Sequence, residues 1–390
     1  MARSLILLVI AEVFGLSLWF SAAAVLPGLA AEAGTTLAGL AGLTTATQIG
    51  FVTGALALAA TGLPDRVDPR RVFALSCLAA SAANAALLVL PPEGVAAHLS
   101  RALVGAALAG VYPVGLKIAV GWSVARRGLI TGLLVGALTL GTALPHLVVL
   151  TGGPGWRVTI VATSALAAAA AALILAASLG PFHATAARLR LGVLGLAWTN
   201  RRIRLAFAGY FGHMWELYAV WAWIAPIAAA SAAGRVADAQ RFGAGVAAAS
   251  IALGGLACIP AGWLADRFGR ARVAGAAMAV SAAAGLGAAA GFGGAPWPMA
   301  AVLMLWGGSI VADSAQFSSL VADNSPRDSA GSLMALQTAL GFALSAITVQ
   351  ALPAFAALAG WPAALAALAI GPVLGAAAMA RLDALGRAAP

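Results

Sequence analysis

The chain has 390 residues, 62% of them hydrophobic and only 9% charged. A soluble domain carries roughly 25% charged residues, so this composition excludes an ordinary water-soluble globule and makes lipid the natural solvent. The net charge of +10 does not mark a nucleic-acid surface, because the basic residues sit in short loops between apolar runs, where they set membrane orientation.

The apolar runs exceed about 20 residues, enough to cross a hydrocarbon core of about 30 Å as a helix. They lack the alternation of membrane barrel strands, and a backbone in lipid has to satisfy its own hydrogen bonds, so they read as helices. The run over 4–29 is too long for the apolar core of a secretory signal and contains Glu12, so it reads as a retained helix. In chain order the predicted helices lie near 4–29, 38–61, 71–90, 97–121, 128–150 and 157–179. A second set lies near 205–230, 242–263, 273–292, 297–321, 329–352 and 361–381. Between them runs a linker, 181–204, with His183, Arg188, Arg190, Arg201, Arg202 and Arg204, which reads as the one substantial cytoplasmic loop. The expected architecture is an all-α membrane protein of twelve transmembrane helices in two pseudo-symmetric six-helix bundles, 1–180 and 205–390, joined by that linker.

With the N-terminus placed in the cytoplasm, 18 of the 22 Lys and Arg residues fall on that side. Arg157, Arg235 and Arg241 fall on the other, and Arg101 lies within the fourth helix. That bias predicts a multi-pass protein of a bacterial-type inner membrane with both termini cytoplasmic.

The halves repeat. Asp65-Arg66 recurs as Asp266-Arg267 after 201 residues, Gly155-Trp156 as Gly360-Trp361 after 205, and both Glu12 and Trp19 as Glu216 and Trp223 after 204. Parallel six-helix repeats related by an axis along the membrane normal are a transporter architecture.

Residues 262–272 (GWLADRFGRAR) resemble the loop motif that follows the second helix of each half in the major facilitator superfamily. The first-half copy at 61–71 (TGLPDRVDPRR) keeps Asp65, Arg66 and the trailing Arg70 and Arg71 but carries Pro64 and Asp68 in place of the usual alanine and glycine. Arg101 with Gly105 and Gly110 is similar to the family's fourth-helix arginine-glycine motif. Gly132, Gly136, Gly141 and Pro145 loosely resemble the fifth-helix motif associated with antiporters. The resemblance implies a secondary transporter working by alternating access, with the first and seventh helices around a central cavity. It further implies gating at Asp65, Arg66, Gly262, Asp266, Arg267, Gly269 and Arg270, where an aspartate meets a helix end or an arginine and latches the cytoplasmic ends of the two halves. Glycines there permit the tight turn and close backbone approach. The plainer reading of the same residues is orientation charge in a loop.

An ionisable side chain at mid-bilayer costs about 2.5–3.5 kcal/mol on insertion scales and marks a cavity or a partner. Glu12, Arg101, Glu216 and Asp313 are the clear cases, and Lys117, His146 and His213 extend the set. Glu12 and Trp19 are seven residues apart, as are Glu216 and Trp223, so each acid is expected to share a helix face with its tryptophan on two facing walls. A carboxyl in such a site can trade a proton near neutral pH; it can equally be a structural partner for an arginine. Lys117 is the only lysine of the chain, and its ammonium suits either solute contact or snorkelling to the cytoplasm. On an ideal helix it points about 160° away from Arg101, so the two are not expected to form one clamp. Tyr112, Tyr210, Tyr218, Trp215, Trp221 and Trp223 crowd the fourth and seventh helices, while Gln316 and Gln337 add hydrogen-bonding capacity.

The candidate proton-coupling residues are therefore Glu12, Glu216, Asp313 and Arg101. The candidate solute-binding residues are Trp19, Tyr112, Lys117, His146, His213, Tyr218, Trp223 and Gln337. His213, Glu216, His146 and Asp313 form no compact metal motif, Cys77 and Cys258 lie in separate apolar segments, and no P-loop is present, so neither metal nor cofactor is expected. The function expected is not enzymatic: proton-coupled secondary transport of a small organic solute by a monomer whose partners are that solute, protons and the bilayer. An exporter of amphipathic or cationic compounds, an importer of small anions, a cation or metal transporter, and a non-transporting receptor or scaffold stand as alternatives.

Overall fold

A computed structural model describes residues 2–122, 127–151, 155–182, 191–326 and 329–387. The basic residues Arg126, Arg188, Arg190 and Arg327, and His183 of the linker, lie outside the described residues.

In chain order the N-terminal helices are α1 (Ala2–Leu16), α2 (Ser21–Ala33), α3 (Leu37–Thr61), the single turn α4 (Leu63–Arg66), α5 (Pro69–Ala86), α6 (Val95–Leu108), α7 (Tyr112–Val120), α8 (Arg127–Thr151) and α9 (Trp156–Leu175). After the short turn α10 (Leu196–Thr199) come α11 (Arg201–Ala232), α12 (Ala239–Phe268), α13 (Arg270–Gly291), α14 (Pro296–Ala312), α15 (Ser314–Asn324) and α16 (Ala330–Arg387). Among the described residues nine segments, with α16 counted once, are long and apolar enough to cross a membrane. α16 supplies two spans, because Gly360 leaves helical geometry (φ 82, ψ 159) just before Trp361 and Pro362. α5 and α11 complete the set; Arg70 and Arg71 in the one, and Glu216 with several tryptophans and tyrosines in the other, lower their hydropathy. The helices are consistent with the twelve rods that the sequence pattern predicts.

α11 starts at Arg201, before the predicted 205, because Asn200 caps it: its side-chain oxygen accepts from Arg202 N (3.0 Å) and Ile203 N (3.3 Å). Three rods predicted as continuous are interrupted at depth. The first breaks over residues 17–20, where the backbone bonds tighten to the third residue back. The fourth breaks over 109–111, just ahead of Tyr112 and Pro113, whose missing N–H and bulky ring oppose continuation. The tenth breaks at Asp313. Residues 109 and 313 are 204 apart, so the interruption belongs to the repeat.

Within the first half α3 packs on α6, α5 on α6 and α9, and α1 on α8 and α9. Within the second, α12 packs on α14, α13 on α14 and α16, and α11 on α12 and α16. The halves meet along α3 with α16 and α8 with α12. Lipid supplies no hydrophobic drive between helices, so close approach through small residues has to hold each bundle. A Cβ at Gly105 of α6 would lie 1.9 Å from the Thr47 carbonyl oxygen of α3. On α14, Gly307 would place one 2.6 Å from Ser250 Cβ of α12.

Gly105→Ala should therefore cost more than the about 1–3 kcal/mol usual for overpacking, because the obstructing atom is backbone. Gly132→Ala, whose Cβ meets nothing within 4 Å, should leave the melting temperature of the detergent-solubilised protein near the parent value. Equal melting of the two variants would refute this account of the α3–α6 contact.

Candidate functional site

At the break between α1 and α2 the Leu18 carbonyl keeps only a tightened backbone bond from Ser21 N (3.3 Å), and a buried polar network adds to it. Arg101 Nη2 donates to Leu18 O (3.1 Å) and Nη1 to Asn84 Oδ1 (2.6 Å). Ser21 Oγ lies 2.8 Å from Leu18 O and 2.7 Å from Asn84 Oδ1, and its one proton goes to either. Asn84 Nδ2 reaches Ser164 Oγ (2.9 Å) and Thr163 Oγ1 (3.2 Å) on α9. Arg101, Asn84 and Ser21 are all fully buried. Among the described residues none of the hydrogen-bond partners of Arg101 is a carboxylate. The guanidinium acts on neutral acceptors and ties α1–α2, α5, α6 and α9 together.

Glu12 is separate from that network. Both its carboxyl oxygens lack a hydrogen-bond partner, and the group packs where a Cβ on Gly115 of α7 would come 2.1 Å from Oε2. The predicted continuous face of Glu12 and Trp19 does not form, because the helix is interrupted between them. Trp19 instead rests on Phe51 of α3 (ring centroids 4.6 Å), Phe342 of α16 (5.7 Å) and Tyr218 of α11 (5.7 Å). Phe20 meets Tyr218 and Trp221, each at 6.0 Å. These six buried rings join the two halves.

Trp223 is not among them. α11 is continuous, so Glu216 and Trp223 do share a face, but it turns into their own bundle. Trp223 Nε1 donates to Val349 O of α16 (2.9 Å). Glu216 accepts from Ser281 Oγ of α13 and Trp306 Nε1 of α14, both at 2.7 Å. At 100° per residue, Tyr218 and Trp221 fall on one side of the helix and Trp223 on another. The expected pair of facing walls with an acid below each tryptophan is thus corrected: Tyr218 and Trp221 face the first half.

His213, three residues before Glu216, pairs elsewhere. Its Nδ1 lies 2.8 Å from Asp313 Oδ1, poorly aligned for a hydrogen bond, and its Nε2 lies 3.1 Å from Ser314 Oγ. Among the described residues no three His, Cys, Asp or Glu side chains gather as a metal site. His146 of α8 is fully buried with both ring nitrogens unpartnered, and Gln337 of α16 is buried with Nε2 unpartnered. Tyr112 is half-buried at the first position of α7, beside the break.

Lys117 turns to the loop after α3, where Nζ donates to Pro64 O (2.7 Å) and pairs with Asp65. This matches the snorkelling alternative, with the ammonium lying at the loop motif. Asp68 takes Arg70, whose guanidinium holds the carboxyl below the usual carboxylate range, and Arg70 Nη1 reaches Ala177 O (2.9 Å). Arg66 is exposed at the end of α4. In the second copy Arg270 pairs with Asp323, and Arg272 Nε lies 3.3 Å from Asp383 Oδ2. Arg267 lies over the Trp263 and Phe268 rings. Asp266, Gly269 and Arg270 line a cavity of about 520 Å³ with Arg202, Asp323 and Asp383. The pairs made by Lys117, Arg270 and Arg272 join elements of the same half, in contrast to the expected latch between halves. Gly269 (φ 93) does make the turn into α13, whereas a Cβ on Gly262 would meet open space, so no backbone approaches it closely.

No protein-family model and no curated protein matches the sequence. Among solved structures, the crystal structure of the nucleoside transporter NupG is similar at 15% identity and a TM-score of 0.72, covering 98% of this chain and 99% of that one. Its D323A mutant gives 16%, 0.74, 97% and 99%. The chain shares the fold of that transporter. Within that fold the residues missed from sequence are Asn84, Ser21, Gln48, Phe20, Phe51, Phe342, Ser281 and Trp306. Asn84 and Gln48 carried a signal, since a polar amide in a spanning helix needs a partner much as an ionisable group does.

Asn84→Ala removes the Arg101 and Ser21 partner and should destabilise the protein by about 1.5–3 kcal/mol, the scale of a hydrogen bond to a charged group. Asn84→Asp should retain most of the stability. Thermal melting in detergent reads both, and an alanine variant as stable as the parent would contradict the clamp.

Proposed function

We propose that the chain is a proton-coupled secondary transporter that carries a small organic solute by alternating access, from an inner membrane with both termini cytoplasmic. The observation that carries the reading is the mid-membrane junction of the halves, where six aromatic rings lie buried beside polar atoms without partners. Buried polar groups are nearly always hydrogen-bonded, so these atoms are suited to a transient guest. Trp19, Tyr218, Gln337 and His146 are the proposed solute contacts. Each half is bound internally through close glycine contacts and meets the other along two helix pairs, which suits rocking of rigid bundles around a central site.

Glu12, Glu216 and Asp313 support coupling to protons, because ionisable groups are kept at membrane depth against a penalty and mark ion pathways. The arrangement disfavours an anion importer built on Arg101 and Lys117, since both cations are already engaged by protein acceptors. The structurally similar NupG is described as a nucleoside transporter, so nucleosides are the first solutes to test.

In vesicles reconstituted with the protein, an imposed pH gradient should drive labelled uridine across the membrane. Glu216→Gln, which leaves a side chain able to meet Ser281 and Trp306, should lower that accumulation at least roughly tenfold, the scale of a coupling of 1–3 kcal/mol. Unchanged pH dependence in this variant would remove Glu216 from the coupling. Absence of flux for every neutral, anionic and cationic solute tried, under gradients of either sign, would overturn transport itself.

A further inference from the structure

The rings at the junction are arranged as plates. Tyr218 of the second half lies at 21° to Trp19 and at 21° to Phe20 of the first half, with centroids 5.7 and 6.0 Å away. Trp221 meets Phe20 edge-on, and Phe342 closes the far side against Phe51 at 4.7 Å. As the halves part, the space that opens between Tyr218 and the Trp19–Phe20 turn is bounded by nearly parallel aromatic faces.

The rim of this slot is polar and unsatisfied. Trp19 Nε1 and Trp221 Nε1 are donors without acceptors, although both side chains are at least 98% buried. Gln48 stands one turn before Phe51 on α3, fully buried, with neither its amide oxygen nor its amide nitrogen partnered. Thr44, a further turn back, has an unpartnered hydroxyl. A hydrocarbon guest would leave all of these groups unmet. One with carbonyl and N–H or O–H groups on its edge would meet them.

The slot is also uncharged. The carboxyl and guanidinium side chains of the surrounding helices are turned elsewhere: Glu12 to Gly115, Arg101 to Asn84 and Leu18 O, Glu216 to Ser281 and Trp306, and Asp313 to His213. A charged guest would enter a low-dielectric space without a counter-charge, which is strongly unfavourable.

We infer that the solute is an uncharged, flat-ringed heterocycle with hydrogen-bonding groups on its edge, stacked between Tyr218 and Trp19–Phe20 and read by the Gln48 amide. This rests on the transport reading above and narrows its substrate class. Gln48 is the specificity-determining side chain, and Tyr218 is the movable plate.

The test uses the full chain in detergent and in vesicles, with uridine, adenosine and nicotinamide as neutral rings. Uridine monophosphate serves as the same ring with charge, and sorbitol as a neutral non-aromatic polyol. At least one neutral ring should raise the melting temperature and quench tryptophan fluorescence, while the monophosphate and sorbitol do neither. Tyr218→Ala should weaken that binding about tenfold, in line with loss of one stacking partner, and Tyr218→Phe should retain it. Gln48→Ala should flatten the discrimination among the three rings while leaving the melting temperature of the solute-free protein close to the parent. Preferential binding of the monophosphate or sorbitol, or no response to any neutral ring at millimolar concentration, would overturn the inference. Flux of a charged or non-aromatic solute in the vesicles would sink this substrate class and leave transport standing. Binding of a neutral ring with no flux of anything would do the reverse.

Discussion

The structure depends on how a backbone carbonyl is satisfied far from water. A helix that unwinds in a membrane exposes groups that lipid cannot pair. Here the interruption after Leu16 is tolerated because Leu18 O meets Arg101 and Ser21, with Asn84 holding both from α5. That clamp lets the chain leave helical geometry at depth, and the departure delivers Trp19 and Phe20 to the other half. Without it, α1 and α2 would form a continuous rod, and the tryptophan would follow Glu12 along one face.

The same solvent explains the role of the glycines. Apolar surface gains little by leaving lipid, so cohesion comes from van der Waals contact at short range. The α3–α6 and α12–α14 contacts supply it in the two halves, with backbone against backbone. Between the halves, rings meet at the centre, Thr45 Oγ1 lies 2.9 Å from Gln350 Oε1 between α3 and α16, and Gly136 of α8 faces Gly255 of α12.

The repeat is closer in backbone than in chemistry. Glu12 and Glu216 are 204 residues apart, yet the first has no hydrogen-bond donor and the second has two. Ser281 and Trp306 account for the difference. Two acids at matching places in the repeat thus sit in unlike surroundings.

Much of the architecture was legible before any coordinates. Low charge, run length, the Lys and Arg asymmetry and the spacing of Asp65-Arg66 to Asp266-Arg267 follow from the bilayer and from duplication, and both leave marks in linear order. The depth of Glu12, Arg101, Glu216 and Asp313 could likewise be read from the apolar runs around them. Tertiary structure alone decided which way each side chain points. Heptad spacing assigns a face relative to a straight axis, and the breaks at 17–20, 109–111 and Asp313 remove that axis where the site lies. Whether Trp223 or Tyr218 looks across the junction, and whether Lys117 meets a solute or Asp65, depends on helices distant in sequence, because in lipid a side chain's partner is whichever polar group packing brings within reach.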